Sequence, residues 1–505
     1  MNIFKNVKSL FSPAKTSVNP GTRGFKRVAA SKKGSLANWT QTRLSSMYAE
    51  AVERETVVNR SIDLIENDPH AAGIIDTLAI TIIGAGLKPH PSLNPDTLGI
   101  TRGEAKKIEA QQKAVYQRWA KNCDIAGTMT DGEIQFLKCR SLFTFGESIE
   151  LLPMTDVQGQ YSLKSQVIHP TRLKTPTDKM NDGNIVNGIE INKNGKPIAY
   201  WVKKVDNKNA FLADISRNFH RIPAKKGHRH LVLHDFISKN PEQFRGEPIL
   251  ASAMRYFRDF ADLMTAELTS NVITSTLALF VETDSSGTVA DAFLNTDDFD
   301  EEDRIQELAP GSVFYGESGQ KPHLLTANRP GITFEPFTKL IKKTISAGIN
   351  VPYPVLFKDV DGVSFAGFRS AMLEAWRVYE YHRKRIGQGD CQKKYTMVME
   401  EAYLRGDLDI KDFYEKKEAY TNCEWYGAPK GDIEPYKAIK ADIEKFNARV
   451  KPLDRIIRED GGAGFMEVAT QIEEELDYLR TTGMIQDQPE TSEQEQDAED
   501  ENENE

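Results

Sequence analysis

Residues 351–371 read VPYPVLFKDVDGVSFAGFRSA. Pro352 and Pro354 flank Tyr353, and Gly362 and Gly367 flank Ser364. The segment sits between two helical patterns. ITFEPFTKLIKKTISAG precedes it, and SAMLEAWRVYEYHRKRIGQGDCQKKYTMVMEEAYLRG follows, with Met372, Leu373, Trp376 and Tyr379 on one stripe. An insert of prolines and glycines between two helices fits a nucleophile turn, a phosphate loop or a flexible finger. The reading of the whole chain turns on which it is.

A nucleophile elbow needs GxSxG, because the residues two before and two after the serine must be small enough for a strained strand-to-helix turn. Around Ser364 the second glycine comes one place late, and Ala366 fills the required slot. No strand of adequate length precedes it. A phosphate loop needs GxxxxGK followed by Ser or Thr. The nearest approach, Gly316 to Lys321, lacks the spacing and continues into Pro322 and His323. The chain is therefore not expected to hydrolyse ATP. His228, His230 and His234 lie at i, i+2 and i+6 and would share one face of a strand, an arrangement open to zinc or to an ordinary polar strand face. Carboxylates cluster at 297–303 and 471–475, but in charge runs with nothing apolar nearby to raise a pKa. No enzyme constellation remains, and no cofactor or metal is expected.

The chain outside this segment is helical first, then mixed. Residues 45–83 carry a helical pattern that should break near Asn67-Asp68-Pro69, since proline disfavours helix at the residue before it and tolerates a helix start. A further helix is expected over 101–121. From about 145 the period becomes two, and ESIELLPM, SLKSQVIHP, GIEINKNGKPIAYWVKKV and HRHLVLHDF read as strands, with a hairpin turn at Asn194-Gly195. After RGEP at 245–248, apolar residues at helical spacing predict a helix running to about Val281, roughly 50 Å long at ~1.5 Å per residue. Residues 434–482 are helical and highly charged. The fold class expected is α+β, predominantly helical.

The 505 residues allow two or three domains. No stretch offers the ~18 uninterrupted apolar residues a membrane span needs. MNIFKNVKSLFSPAK has no signal-peptide core, so export is not expected. Four widely spaced cysteines fit a reducing compartment. Residues 1–49 carry nine Lys/Arg and no acid, whereas residues 486–505 carry ten acids and no base. Both tails lack the apolar content to fold alone. Taking them from a total of −9 leaves the body between them near −8.

Several stretches, in order, resemble the portal proteins of tailed bacteriophages, specifically the lambda-like group, over roughly residues 40–480. They include NDPHAAGIIDTLAITIIGAGLKP, CDIAGTMTDGEIQFLKCRSLFTFGESIELLP, RGEPILASAMRYFRDFADLMTAEL, FEPFTKLIKKTISAGINVPYPVLFKDVDGVSFAGFRSAMLEAWR and WYGAPKGDIEPYKAIKAD. The resemblance implies a portal-type fold: a basic arm (1–44), an α+β wing (45–246), stem helices (247–281 and 333–349) around a clip (282–332), a tunnel-loop region (350–367), a long channel helix with its following segment (368–433), a helical crown (434–482) and an acidic tail (483–505). It implies a ring, usually of twelve subunits, at one capsid vertex of a virion assembled in the host cytoplasm. The implied partners are double-stranded DNA without sequence specificity, the large terminase motor, major capsid and scaffold proteins and head–tail adaptors, with no membrane.

The opening segment then becomes the tunnel loop at the DNA channel, with Lys358, Asp359, Asp361, Gly362, Val363, Ser364, Phe365, Ala366, Gly367 and Arg369 as its implied residues. Prolines would stiffen its base and glycines free its hinge. Phe365 would be an exposed apolar tip or a contact with a neighbouring subunit, Lys358 a phosphate contact, and Arg369 a phosphate contact or an intersubunit partner. Family members often follow the aromatic with two small hydroxyl residues; here Ala366 and Gly367 stand there. Two other readings stay open: a helical scaffold or adaptor of another virion assembly, and a serine hydrolase using Ser364.

Overall fold

The computed structural model describes residues 46–204, 218–281, 312–315, 334–431, 434–461, 464–482 and 484. The basic arm, most of the expected clip and, apart from Met484, the acidic tail lie outside the described residues.

Helix α1 (Ser46–Asn67) and helix α2 (Pro69–Ile83) meet at Asp68, whose carboxylate accepts the N–H groups of His70 and Ala71 at 2.8 and 2.9 Å. Pro69 stands where a helix has no N–H to lose. Nearly half of α2 is buried, including Ile74, Ile75, Leu78, Ile82 and Ile83, so this helix is the axis of one apolar cluster. Helices α3 (Arg102–Ala120) and α4 (Asp131–Phe145) each open on a capping box, Thr101 with Glu104 and Thr130 with Glu133.

The alternating segments form two antiparallel sheets. In the first, Glu147–Leu151 is central between Val232–Phe236 and Gln166–Ile168. The second runs Ile185–Val186, Ile189–Ile191, Pro197–Lys203, Phe219–Pro223. FGE at 145–147 and RGE at 245–247 cross at their glycines. A Cβ on Gly246 would lie 1.8 Å from the Gly146 carbonyl oxygen, and one on Gly146 would lie 2.3 Å from the Glu247 backbone. Only glycine permits that approach at either place.

Three expectations are corrected. The helix expected over 247–281 is shorter: helix α5 is Met254–Thr276, after irregular turns at 250–253, and Leu277–Val281 is a strand paired in parallel with Ser312–Tyr315. Ser312–Tyr315 supplies the ladder partner that makes Leu277–Val281 extended, a pairing that no local pattern announces. The hairpin at Asn194-Gly195 is not a two-residue turn. It spans Asn192–Lys196, with Asn192 Oδ1 accepting the N–H groups of Asn194 and Lys196, and only Gly195 has positive φ. The long helix after the loop is also divided. Helix α7 (Phe365–Ile386) passes through a π-turn at Gly387–Cys391 into helix α8 (Gln392–Arg405).

Helix α6 (Phe334–Ile349) packs beside α5, and both join α2, α4 and α7 in the cluster around α2. The charged C-terminal region is three helices, α9 (Pro435–Asn447), α10 (Leu453–Gly461) and α11 (Phe465–Thr481). No described helix is long and apolar enough to cross a membrane.

Candidate functional site

Residues 351–364 form a short loop on a rigid root. Val351, Tyr353 and Leu356 are buried, and Tyr353–Leu356 forms one helical turn with Pro354 near its start. The next residue, Phe357, rests 5.5 Å from the ring of His70 on α2, which is itself 5.6 Å from Phe260 on α5. The Lys342 ammonium of α6 stands 5.9 Å from both phenyl rings, a cation–π clamp. Burial, more than any charge nearby, lowers the His70 pKa, so at neutral pH the ring packs as an uncharged group. Helices α2, α5 and α6 thus hold the loop's base.

Beyond Phe357 the backbone is less ordinary. Lys358 is exposed with φ +55°, and Tyr353 donates its hydroxyl proton to Asp359. Val360 to Val363 is a turn closed by the Val363 N–H on the Val360 carbonyl at 3.1 Å, with Gly362 at φ +72°. Lys339 of α6 donates to the Asp361 carbonyl at 3.3 Å. Between loop and helix lies a groove of about 730 Å³, lined among others by Lys339, Lys343, Asn350, Gly362 and Glu374.

The expected site residues divide at Ser364. Lys358, Asp359, Asp361, Gly362 and Val363 are loop. Ser364 is the N-cap of α7, its Oγ accepting the Gly367 N–H at 3.1 Å, so Phe365, Ala366 and Gly367 form the first turn of that helix. Gly367 is therefore helical, unlike Gly362, and only Gly362 carries a hinge-like conformation. Phe365 projects with 54% of its surface exposed. Arg369 pairs with Glu434 of the same chain at 3.1 Å. Among the histidines considered for metal, His228 is in a turn and His234 meets the Glu147 carboxylate at 3.1 Å, so the three do not share a strand face. No cluster able to hold a metal occurs among the described residues.

Ser364 bonds as a helix cap rather than as a nucleophile, since no base hydrogen-bonds its Oγ among the described residues. Ser364→Ala should lower the stability of this helix start by about 1 kcal/mol, the usual worth of a Ser cap. The same protein should take no label from an active-site serine probe before or after the change. Labelling lost on substitution would restore the hydrolase reading.

Beneath α7 and α8 lies a buried ionic chain that the sequence reading missed. Glu147 receives Arg245 and Arg54; Arg245 also donates to the carbonyls of Leu173 and Asn187 at 3.0 and 2.7 Å. Lys138 bridges Glu150 and Asp390 of the π-turn, and Lys394 lies 2.6 Å from Asp131 and 3.3 Å from Glu150. Burial alone would raise these carboxyls; the cations beside them hold Glu147, Glu150, Asp131 and Asp390 below the usual carboxylate range. Asp235, beside Asp390, is instead raised by burial and by that neighbour's charge. Every one of these charges has an opposite partner, as buried ions require. The chain of contacts ties the π-turn and α8 to α4 and the first sheet. A faint sequence signal exists, Gly387-Gln388-Gly389-Asp390 interrupting a helical pattern; nothing marks the partners.

The loop, helix α6 before it, most of α7 after it and the two sheets fall inside one match, to the family model described as phage portal protein, lambda family, over residues 32–383. The chain belongs to that family. Portal protein B of Escherichia phage lambda is 20% identical over 452 residues, covering 84% of each chain. The probable portal protein of Halomonas phage phiHAP-1 is 24% identical over 445 residues, 86% of this chain and 82% of that one. Among solved structures, the neck of a native gene transfer agent particle matches with TM-score 0.38 and 13% identity, covering 67% of this chain and 84% of that chain. The virion of such a particle matches with TM-score 0.40 and 11% identity over 79% and 89%. The match to the lambda portal family ends within α7, so the π-turn and the three C-terminal helices lie beyond it.

Proposed function

We propose that this chain is the subunit of a closed portal ring of twelve copies that encircles double-stranded DNA at a single capsid vertex during packaging, retention and ejection. The continuity of the family match across wing, stem helices and loop carries this reading. On it, α5 and α6 line the stem, residues 282–332 form the clip that meets the terminase motor and later the head–tail adaptors, and α9 to α11 form the crown. Residues 357–365 are the part of the chain nearest the DNA.

The chemistry of the loop suits passage. Sliding a duplex past tightly held phosphates would stall it, because each bound phosphate must be released before the next step. Of the cations in and beside the loop, Lys339 of α6 donates to the Asp361 carbonyl, Arg369 pairs with Glu434, and the carboxylates of Asp359 and Asp361 offset the charges of Lys358 and Lys339. The site is thus close to electrically balanced, with an apolar tip at Phe365. Head-to-tail contacts repeated around a ring let modest interfaces accumulate.

Negative-stain imaging of the purified chain is expected to show rings with a central hole. A monomer at every concentration, with no ring in assembled particles, would remove the portal reading.

A further inference from the structure

Helix α9 presents an apolar seam that nothing among the described residues covers. Tyr436, Ile439, Ile443 and Phe446 recur at i, i+3, i+7 and i+10, the spacing of a coiled-coil seam, and are 79, 58, 54 and 45% exposed. The helix is nevertheless fixed in place. At its start Glu434 pairs with Arg369 of α7, and near its end Lys451 lies 3.9 Å from Asp442 and 2.7 Å from Glu459 of α10. Nothing among the described residues covers the apolar stripe of this helix held at both ends, and such a stripe marks an interaction surface.

Helix α11 carries a second such seam, Phe465, Ala469, Ile472, Leu476 and Leu479, whose central residues Ile472 and Leu476 are 49 and 38% exposed. The two helices differ in charge. Residues 435–447 hold three lysines against two acids, while residues 465–481 hold five acids against one arginine. Lys440 beside the first seam, and Glu473 and Glu474 on the second helix, have no ion-pair partner among the described residues. Two different, complementary surfaces on one chain generate a heterologous contact.

We infer that α9 of one copy docks on α11 of the next, seam against seam, with the lysines of the first helix facing the glutamates of the second. The inference rests on the ring reading and assigns the contact that closes its crown side. It also assigns work to the residues beyond the family match.

Cysteines placed in the seams test it, since the four natural cysteines are buried. A chain carrying Ile443→Cys is mixed with a chain carrying Leu476→Cys, assembled, treated with a short bis-maleimide and imaged alongside. Links between the two chains are expected, with neither variant linking alone, and the chain bearing both changes should give a ladder of multimers. In parallel, Lys437→Glu with Lys440→Glu should raise the concentration needed for assembly at least about tenfold, and Glu473→Lys with Glu475→Lys should restore it. Rings without a 443–476 link, links between two copies of residue 443, or a link within one chain would overturn the docking and leave the ring standing. Absence of both rings and links would overturn the two together.

Discussion

Lys394→Met is expected to destabilise the protein by about 3–5 kcal/mol, the cost of removing one partner from a buried ion pair. The Lys394 side chain is almost entirely enclosed, and its ammonium serves Asp131 and Glu150 at once. Without it, Asp131 keeps hydrogen bonds from Tyr116 and Gln135, both 2.6 Å, but has no counter-charge. Glu150 keeps Lys138, which must also serve Asp390. Lys384→Met makes the contrast: its pair with Glu380 is exposed at both ends, and about 0.5 kcal/mol is the most such a pair supplies. Denaturant unfolding followed by tryptophan fluorescence reads the difference directly, because Trp119 lies 5.8 Å from the Lys394 ammonium. Adding Asp131→Asn should recover part of the loss, since the orphaned charge is then gone. Equal midpoints for the two lysine variants would mean that the buried chain is not an electrostatic unit.

The same chain sets an acid limit. Asp131, Glu147, Glu150 and Asp390 have folded pKa values below their unfolded ones, so their contribution is fully present above the usual carboxylate range, about 4. It is lost as pH falls from there through the depressed folded values. Asp235, raised when folded, works the other way and offsets a part of it. Stability should therefore hold through neutral pH and fall steeply below about pH 4. A stability that is flat down to pH 3 would contradict this assignment of charges.

Much of this fold could be read from local signals, because local rules govern those places. Asp68-Pro69 announces a cap followed by a helix start, and the alternation after residue 145 announces strands. The ordered stretches that marked the portal resemblance lead to the family the chain belongs to. What could not be read depends on contacts far apart in sequence. Glu147 looks like one more charge on a strand until Arg245, some hundred residues later, arrives beside it. Phe357 gives no hint that His70 and Phe260 will hold it. The helix expected over 247–281 was read too long because apolar residues continue without a break from α5 into Leu277–Val281, whose strand partner, Ser312–Tyr315, lies far along the chain. At the loop, the two glycines looked equivalent in sequence. The cap formed by Ser364 separates them.

That separation decides the last expectation. Gly362 holds φ +72° in the turn from Val360 to Val363, and a Cβ there would meet nothing within 4 Å. The constraint at this position is therefore the backbone alone. Asparagine, which tolerates the left-handed region, should leave function nearly unchanged. Proline fixes φ near −65°, so the turn cannot close and the Lys339 contact to Asp361 goes with it. Strain of about 1–3 kcal/mol corresponds to a roughly 5- to 150-fold loss in the ratio of native to altered loop, and packaged DNA per particle should fall by up to a comparable factor in Gly362→Pro. Ring formation should be spared, because Phe357 and its clamp lie outside the turn. Gly367→Pro makes a smaller change: it removes one N–H from the first turn of α7 and with it the Ser364 cap bond, worth about 1 kcal/mol. A graded series, with Gly362→Asn near the parent, Gly367→Pro intermediate and Gly362→Pro lowest, is what a loop acting through its backbone conformation produces. Equal packaging by all three would mean that the loop takes no part in moving DNA.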